Sequence, residues 1–178
     1  MAIYTKTGDR GETKIFDKKT GELIKISKMS CKIRSIGTID ELNSFLGVAK
    51  TSSSDKDLIK KITEIQKNLF VINSILAGGK LTFSKTKTKS LEKEIDLWEG
   101  ALPVLKNFII YGGSQESTLL FYARALCRKA ERSVVKLSKE QKVNDSILIY
   151  FNRLSDYLFM LARSLNHKEG NSEELWKA

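Results

Sequence analysis

Apolar residues spaced alternately three and four positions apart restrict the fold of this chain more than any other feature. The clearest run lies between residues 58 and 76 and consists of Leu58, Ile62, Ile65, Leu69, Ile72 and Leu76. This spacing places the apolar side chains on one face of an α-helix. Gly78-Gly79 follows the run and predicts the C-terminal stop of that helix.

Four more helices are predicted from the same periodicity. The first begins at Thr38-Ile39-Asp40-Glu41, a capping box that satisfies free backbone N–H groups, and ends at Ser52-Ser53-Ser54. The others span Leu91 to Leu102, with Pro103 as the stop, Leu119 to Leu137, capped by Ser114, and Asn144-Asp145 to just before Gly170. Phe108-Ile109-Ile110-Tyr111 is predicted as an extended loop, because no partner strand is evident.

The chain of 178 residues is long enough to bury one core. It contains one proline and no repeat or long linker, so we predict one domain over residues 1–178. Residues 1–37 form an N-terminal arm, residues 38–170 an antiparallel helical bundle and residues 171–178 a tail. The predicted fold class is therefore all-α.

The net charge of +10 favours a polyanionic partner, either a nucleic acid or a phosphorylated small molecule. A lysine-rich solvated surface is the alternative. Cys31 and Cys127 are far apart and His167 is the one histidine, which argues against a disulfide framework, a structural zinc site and a histidine triad. No apolar run reaches the ~18 residues of a membrane span, so we expect a cytoplasmic protein.

The polar face of the fourth helix is the first candidate site. Arg124, Arg128, Glu131 and Arg132 share an arc of roughly 100°. Guanidinium groups match phosphate oxygens two at a time, but a solvated face with internal ion pairs explains the same pattern. On the last helix, Asn152 and Asp156 share one side next to Arg153, and these residues could equally bridge neighbouring helices.

The arm between Thr5 and Thr13 is the second candidate. Its glycines, threonines and Lys6 are the components of a phosphate-binding turn, although the spacing matches neither the Walker A nor the dinucleotide motif. On physical grounds alone it could be any polar turn.

Five segments in order carry a resemblance to a known family: YTKTGDRG, GTIDELNS, FIIYGGS, RALCRKAER and FNRLSDYLF. From Ile3 to about Gly170 the chain resembles the PduO-type ATP:corrinoid adenosyltransferases. The resemblance implies a five-helix bundle that assembles as a homotrimer, with active sites between subunits. It implies transfer of the 5′-deoxyadenosyl group of ATP to cob(I)alamin, with Mg²⁺ bridging phosphate oxygens.

The resemblance also assigns roles to individual residues. The arm would wrap ATP, and Lys28 would meet the triphosphate; the arm residues concerned are Thr5, Lys6, Thr7, Gly8, Thr13 and Lys14. The fourth helix would grip the nucleotide through Arg128, Lys129, Ala130, Glu131 and Arg132, and the last helix through Asn152. Asp40 and Arg124 match an acid–arginine pair across the subunit interface, and Phe108 matches the aromatic residue that clears the lower axial position of cobalt.

The chain departs from the family pattern at several positions. The loop between Thr13 and Lys28 is longer than usual, and Tyr111 stands where a proline is common. Phe121 replaces a frequent histidine, Lys129 a common arginine, and Ile36 a frequent aromatic residue. The resemblance implies a flavin-type reductase and a cobalamin-dependent enzyme as partners, and neither a nucleic acid nor a membrane. A basic nucleic-acid-binding protein and a purely structural bundle are the rival classes.

Overall fold

A computed structural model describes Tyr4, residues 6–17 and residues 20–177 of the chain. Most of the described residues are helical, as the periodicity predicts. The five helices are α1 (Cys31–Thr51), α2 (Lys56–Leu76), α3 (Thr86–Ala101), α4 (Gln115–Ser138) and α5 (Asp145–Lys168). Two antiparallel strand pairs accompany them: β1 (Glu12–Asp17) with β2 (Glu22–Ser27), and β3 (Ile109–Ile110) with β4 (Glu174–Leu175).

The predicted ends of α2 to α5 are confirmed. Gly78 follows α2 with a φ of 102°, a conformation that favours glycine, and α3 ends just before Pro103. The side chain of Ser114 accepts a hydrogen bond from the backbone N–H of Ser117 at the start of α4. Asn144 caps α5 in the same manner. Local signals therefore determine where these helices begin and end.

The predicted start of the first helix is wrong. α1 begins at Cys31, where the hydroxyl of Ser30 accepts from the N–H of Ile33, so residues 31–37 belong to the bundle and not to the arm. Thr38 lies inside α1, and its hydroxyl donates to the carbonyl of Ser35. A threonine hydroxyl can bond to a preceding carbonyl as readily as it caps a helix. A contact with α4, the hydrogen bond from Ser35 to the carbonyl of Ser133, holds the extra turns in place.

The segment predicted as an extended loop before Gly112-Gly113 contains a short strand. Ile109 pairs with Leu175 and Ile110 with Glu174, so the C-terminal tail supplies the partner strand. The N–H of Trp176 also donates to the carbonyl of Phe108 at 2.8 Å. The sequence did not reveal this pairing because the two strands are two residues long and more than sixty residues apart.

The helices bury a single core around α5. The predicted apolar face of α2 is entirely buried, and Asn68 on that helix donates to the buried hydroxyl of Tyr150 on α5. At one end of the bundle Cys31, at the start of α1, donates to Glu140 just beyond α4. At the other end Lys168, the last residue of α5, pairs with Asp55, the cap of α2. The Lys168 hydrogen bond is the main reason that the pKa of Asp55 is lowered.

The β1–β2 hairpin packs on the first of these ends. Thr13 pairs with Ile26 and Lys14 with Lys25, so most of the segment between Thr13 and Lys28 belongs to two antiparallel strands. A Cβ atom at Gly78 would lie 2.0 Å from the carbonyl oxygen of Phe16. Only glycine allows β1 to approach the end of α2 this closely. The loop between α3 and α4 lies at the opposite end.

Candidate functional site

The exposed face of α4 carries the predicted arginines. Arg128 and Arg132 are exposed, and neither has a hydrogen-bond or ion-pair partner within the described residues. The opposite face of α4 is packed into the core through Ala123, Cys127, Ala130 and Val134. From Arg124 to Arg132 this arginine face spans about 12 Å along the helix axis. Two unpaired guanidinium groups on a rigid helix are suited to bind a polyanion.

Two residues of α4 that were predicted to bind the nucleotide, Lys129 and Ala130, do not lie on the arginine face. Ala130 is fully buried, so its side chain is directed away from the arginine face. Lys129 forms an ion pair of 2.7 Å with Glu41 on α1. The structure therefore brings Arg128, Glu131 and Arg132 together and leaves Lys129 and Ala130 outside that group.

Helix α5 borders the arginine face. Asn152 donates to Glu131 at 3.2 Å, so the two predicted residues meet across the groove between α4 and α5. Arg153 forms ion pairs with Glu92 and with Asp156, at 3.2 and 2.9 Å. For Arg153 the bridging interpretation is confirmed, because its pair with Glu92 joins α5 to α3, whereas Asp156 pairs with Arg153 within α5 itself.

A large cavity opens next to this groove. It measures about 1110 Å³, and its walls include Phe108, Tyr111, Phe159, Trp176, Arg124 and Arg153. Its volume lies just above the usual range of about 300–1,000 Å³ for small-molecule sites, and its aromatic walls suit a large flat ligand. Phe108 is 81% exposed, so its ring does not fill the core of the bundle.

Arg163 also lines this cavity, although no motif in the sequence pointed to it. Only 4% of its surface is exposed, and its guanidinium group donates to both carboxylate oxygens of Glu173, at 2.5 and 3.1 Å. It also donates to the carbonyl of Pro103 at 2.8 Å. One buried arginine on α5 thus ties the tail to the loop that follows α3. The sequence did contain a signal for the burial of Arg163. Apolar residues occur on every side of the last helix, which implies that the helix is buried all round and that its polar residues are buried with it.

Asn166 holds the other side of the same loop. Its side-chain oxygen accepts from the N–H of Ser114, and its side-chain nitrogen donates to the carbonyl of Gly112. Gly113 has a φ of 106°, and a Cβ atom there would lie 2.1 Å from the Asn166 oxygen. The Gly112-Gly113 pair therefore permits this close contact and lets the loop turn directly into α4.

In the arm, the structure joins two predicted residues. Lys28 donates its ammonium group to the carbonyl of Gly8 at 2.8 Å. Lys6 has a φ of 57°, which is unusual for a residue with a side chain. Thr7, Thr13 and Lys14 lie on the same turn and strand, and Thr5 lies outside the described residues. The contact of Lys28 with Gly8 therefore links the predicted phosphate-binding turn to the residue that follows β2.

Asp40 and Arg124 do not meet within the chain. Asp40 is exposed on α1 and has no partner among the described residues. Arg124 donates to the hydroxyl of Tyr111 at 2.9 Å. The expected pairing of Asp40 with Arg124 across a subunit interface stays a prediction.

Neither cysteine is a poised nucleophile. Both are free thiols, as the spacing predicts. Burial raises the pKa of Cys127, and the hydrogen bond to Glu140 is the main cause that raises the pKa of Cys31. Both thiols are therefore protonated at neutral pH. No group of three or more metal-ligating His, Cys, Asp or Glu residues occurs in the part of the chain that the structure describes.

A family model described as cobalamin adenosyltransferase matches residues 3–165. The chain belongs to this family. A corrinoid adenosyltransferase of Bacillus subtilis is 41% identical to it over 180 residues, which cover 96% of this chain and 89% of the relative. The human corrinoid adenosyltransferase MMAB is 37% identical over 186 residues, which cover 98% of this chain and 72% of the relative.

Solved structures agree with this assignment. A variant of the PduO-type ATP:corrinoid adenosyltransferase from Lactobacillus reuteri, complexed with cobalamin and ATP, superposes with a TM-score of 0.91 and 34% identity. The match covers 99% of this chain and 100% of that one. The resemblance stated from the sequence is confirmed. No helix in the described ranges is both long and apolar enough to cross a membrane.

We predict that Glu173→Ala destabilises the fold more than Glu174→Ala. Removing Glu173 leaves the buried guanidinium group of Arg163 uncompensated, which costs about 3 kcal/mol of unfolding free energy. Glu174 is exposed on the tail and forms no ion pair among the described residues, so its removal costs less than about 0.5 kcal/mol. Urea unfolding measures both values, and equal losses would contradict the role assigned to Arg163.

Proposed function

We propose that this chain transfers the 5′-deoxyadenosyl group of ATP to cob(I)alamin and releases triphosphate. The observation that carries the proposal is the position of the arginine face, which leads directly into the aromatic cavity. Arg124 belongs to both, and Arg128 and Arg132 follow at successive turns of α4. A corrinoid in the cavity and a nucleotide on the arginine face would then lie next to each other, as transfer between them requires.

The proposed chemistry requires no nucleophile from the protein. Cob(I)alamin is itself a strong nucleophile, and its cobalt attacks the ribose 5′ carbon while the bond to the triphosphate oxygen breaks. The protein must align the two substrates and stabilise the negative charge that develops on the leaving group. Arg128 and Arg132 have donors that are unpaired among the described residues, and the arm adds positive charge through Lys6, Lys14 and Lys28.

The Mg²⁺ ion fits this site through the phosphates of the substrate. Mg²⁺ in nucleotide enzymes commonly binds one or two carboxylates together with substrate phosphate oxygens. Glu131, which Asn152 holds at the edge of the arginine face, would supply one such carboxylate. When bound, the ion neutralises part of the triphosphate charge. The protein's own part is to orient Glu131 and to present the arginines.

Phe108 supplies the corrinoid side of the proposal. Its exposed ring stands at the cavity wall, and the backbone of Trp176 holds its carbonyl. An apolar ring below the cobalt excludes water and the lower axial ligand. Because an axial donor stabilises the higher oxidation state, excluding it makes cobalt(II) easier to reduce. A flavin-type reductase would supply that electron, and a cobalamin-dependent enzyme would take the product.

We also propose a homotrimer with the active site between subunits. Asp40 supports this because it is an exposed carboxylate on α1 without a partner in the described chain. Val48, two turns further along the same helix, is a large apolar residue that is about half exposed. A neighbouring copy that covers this face would bring its Arg124 to Asp40. An active monomer in sedimentation velocity at assay concentrations would contradict this arrangement.

The direct test of the function combines ATP, Mg²⁺ and chemically reduced cobalamin, and follows the corrinoid spectrum for adenosylcobalamin.

We predict that Arg128→Ala lowers the turnover rate about a hundredfold, because one transition-state charge contact is lost. Since the side chain of Arg128 is exposed, the melting temperature of the variant should stay close to that of the wild type. Lys136→Ala, also exposed on α4, is the control and should retain activity. Half of the normal turnover in Arg128→Ala at saturating ATP would remove Arg128 from the site.

A second prediction concerns Phe108→Ala. Since the ring is exposed, the variant should melt within about 2 °C of the wild type. It should bind ATP normally, but cob(II)alamin bound to it should lack the four-coordinate spectral signature. Turnover should fall most when cobalt(II) is supplied with a reductase. An unchanged four-coordinate signal would show that Phe108 does not face the cobalt.

A further inference from the structure

Tyr111 makes two contacts that together fix a charged side chain at the cavity wall. Its ring stacks on Phe121, with centroids 4.6 Å apart and an angle of 16° between the planes. Its hydroxyl accepts a hydrogen bond of 2.9 Å from the guanidinium group of Arg124. Phe121, on α4, is 3% exposed and is therefore anchored in the core of the bundle. Through Tyr111, the long side chain of Arg124 is thus connected to a rigid part of the bundle.

The guanidinium group of Arg124 is also enclosed by rings. Its central carbon lies 5.8 Å from the centre of the Tyr111 ring and 5.4 Å from that of Phe159. Phe159 in turn packs on Phe121 at 5.9 Å. Cations attract aromatic faces at such distances, and the rings restrict the rotamers that a long side chain can adopt. The three aromatic residues and Arg124 form what we call the aromatic clamp.

The aromatic clamp faces the corrinoid end of the proposed site. Tyr111, Arg124 and Phe159 all line the large cavity together with Phe108. Within the described residues the bond to Tyr111 is the one side-chain hydrogen bond of Arg124, and it uses one of the five N–H groups of the guanidinium. The pair proposed with Asp40 of a neighbouring copy would use two more at most, so N–H groups remain available toward the cavity. A corrinoid carries carboxamide side chains around its rim, and their carbonyl oxygens are suitable acceptors for these groups.

We propose that Tyr111 is a positioning residue for the corrinoid substrate, which rests on the function proposed above. Its hydroxyl orients the guanidinium group of Arg124 toward the cavity before the corrinoid binds. A long side chain that is already ordered loses less conformational freedom when its ligand arrives. Phe121 takes part indirectly, because its ring holds that of Tyr111 in place.

The proposal differs from a purely structural role for Tyr111. The ring is half exposed, so water can replace the lost partner of Arg124 and the fold does not depend on the hydroxyl. Tyr111→Phe removes the hydroxyl and keeps the stack. Tyr122→Phe is the matched control: Tyr122 is also about half exposed on the surface of α4, its ring contacts Phe45, and its hydroxyl has no partner in the described part of the chain.

The experiment measures initial rates of adenosylcobalamin formation while ATP and cob(I)alamin are varied separately. For Tyr111→Phe we expect the KM for the corrinoid to rise about three- to tenfold, which corresponds to ordering one long side chain. The KM for ATP and the melting temperature should stay at wild-type values. Tyr122→Phe should match the wild type in all three quantities.

A double-mutant cycle with Arg124→Lys shows whether the effect passes through Arg124. Lysine lacks the planar fork that the clamp orients, so adding Tyr111→Phe to Arg124→Lys should leave the corrinoid KM unchanged. The same rise in both backgrounds would overturn the proposal, as would an unchanged corrinoid KM in Tyr111→Phe. Equal rises in both KM values, with a lower melting temperature or a smaller assembly, would assign Tyr111 a structural role instead. A wild-type protein without activity would instead reject the proposed function itself.

Discussion

Helix α5 is buried along almost its whole length, and the other elements are arranged around it. Its apolar residues pack against α3 and α4, and even its polar residues are enclosed, among them Arg163 and Asn166. Buried polar groups must find partners, because leaving them unpaired costs free energy. Arg163 and Asn166 find theirs in the loop after α3, in the start of α4 and in the C-terminal tail. The position of the cavity wall thus follows from the burial of one helix.

The two faces of helix α4 have different roles, one in the stability of the fold and one in the proposed chemistry. One face is packed in the core, while the opposite face presents Arg128 and Arg132, which have no side-chain partner in the described part of the chain. Arg124 stands where that face meets the cavity, enclosed by the rings of Tyr111 and Phe159. A rigid helix keeps these groups at fixed separations, which suits the alignment of two substrates. The ends of the arginine face lie toward the two ends of the bundle, one with the hairpin and one with the cavity.

Most helix boundaries were predictable because they depend on neighbouring residues. Gly78, Pro103, Ser114 and Asn144 each act within a few positions of the end that they define. The start of α1 was not predictable in this way, since Thr38 resembles a cap and the turns before it are held by a contact with α4. The β3–β4 pair was missed because each strand has two residues and no periodicity. Arg163 was missed because its partners are a distant glutamate and a backbone carbonyl.

The sequence by itself determined the helical class, the two faces of α4 and, through five ordered motifs, the family. These properties are written in local spacing and in residue types, which do not require knowledge of the packing. Only the tertiary structure decided that Phe108 is exposed at a cavity, that the tail pairs with its loop, and that Tyr111 holds Arg124. These contacts join segments that are far apart in the chain or follow side-chain directions, and both are set by how the helices pack around α5.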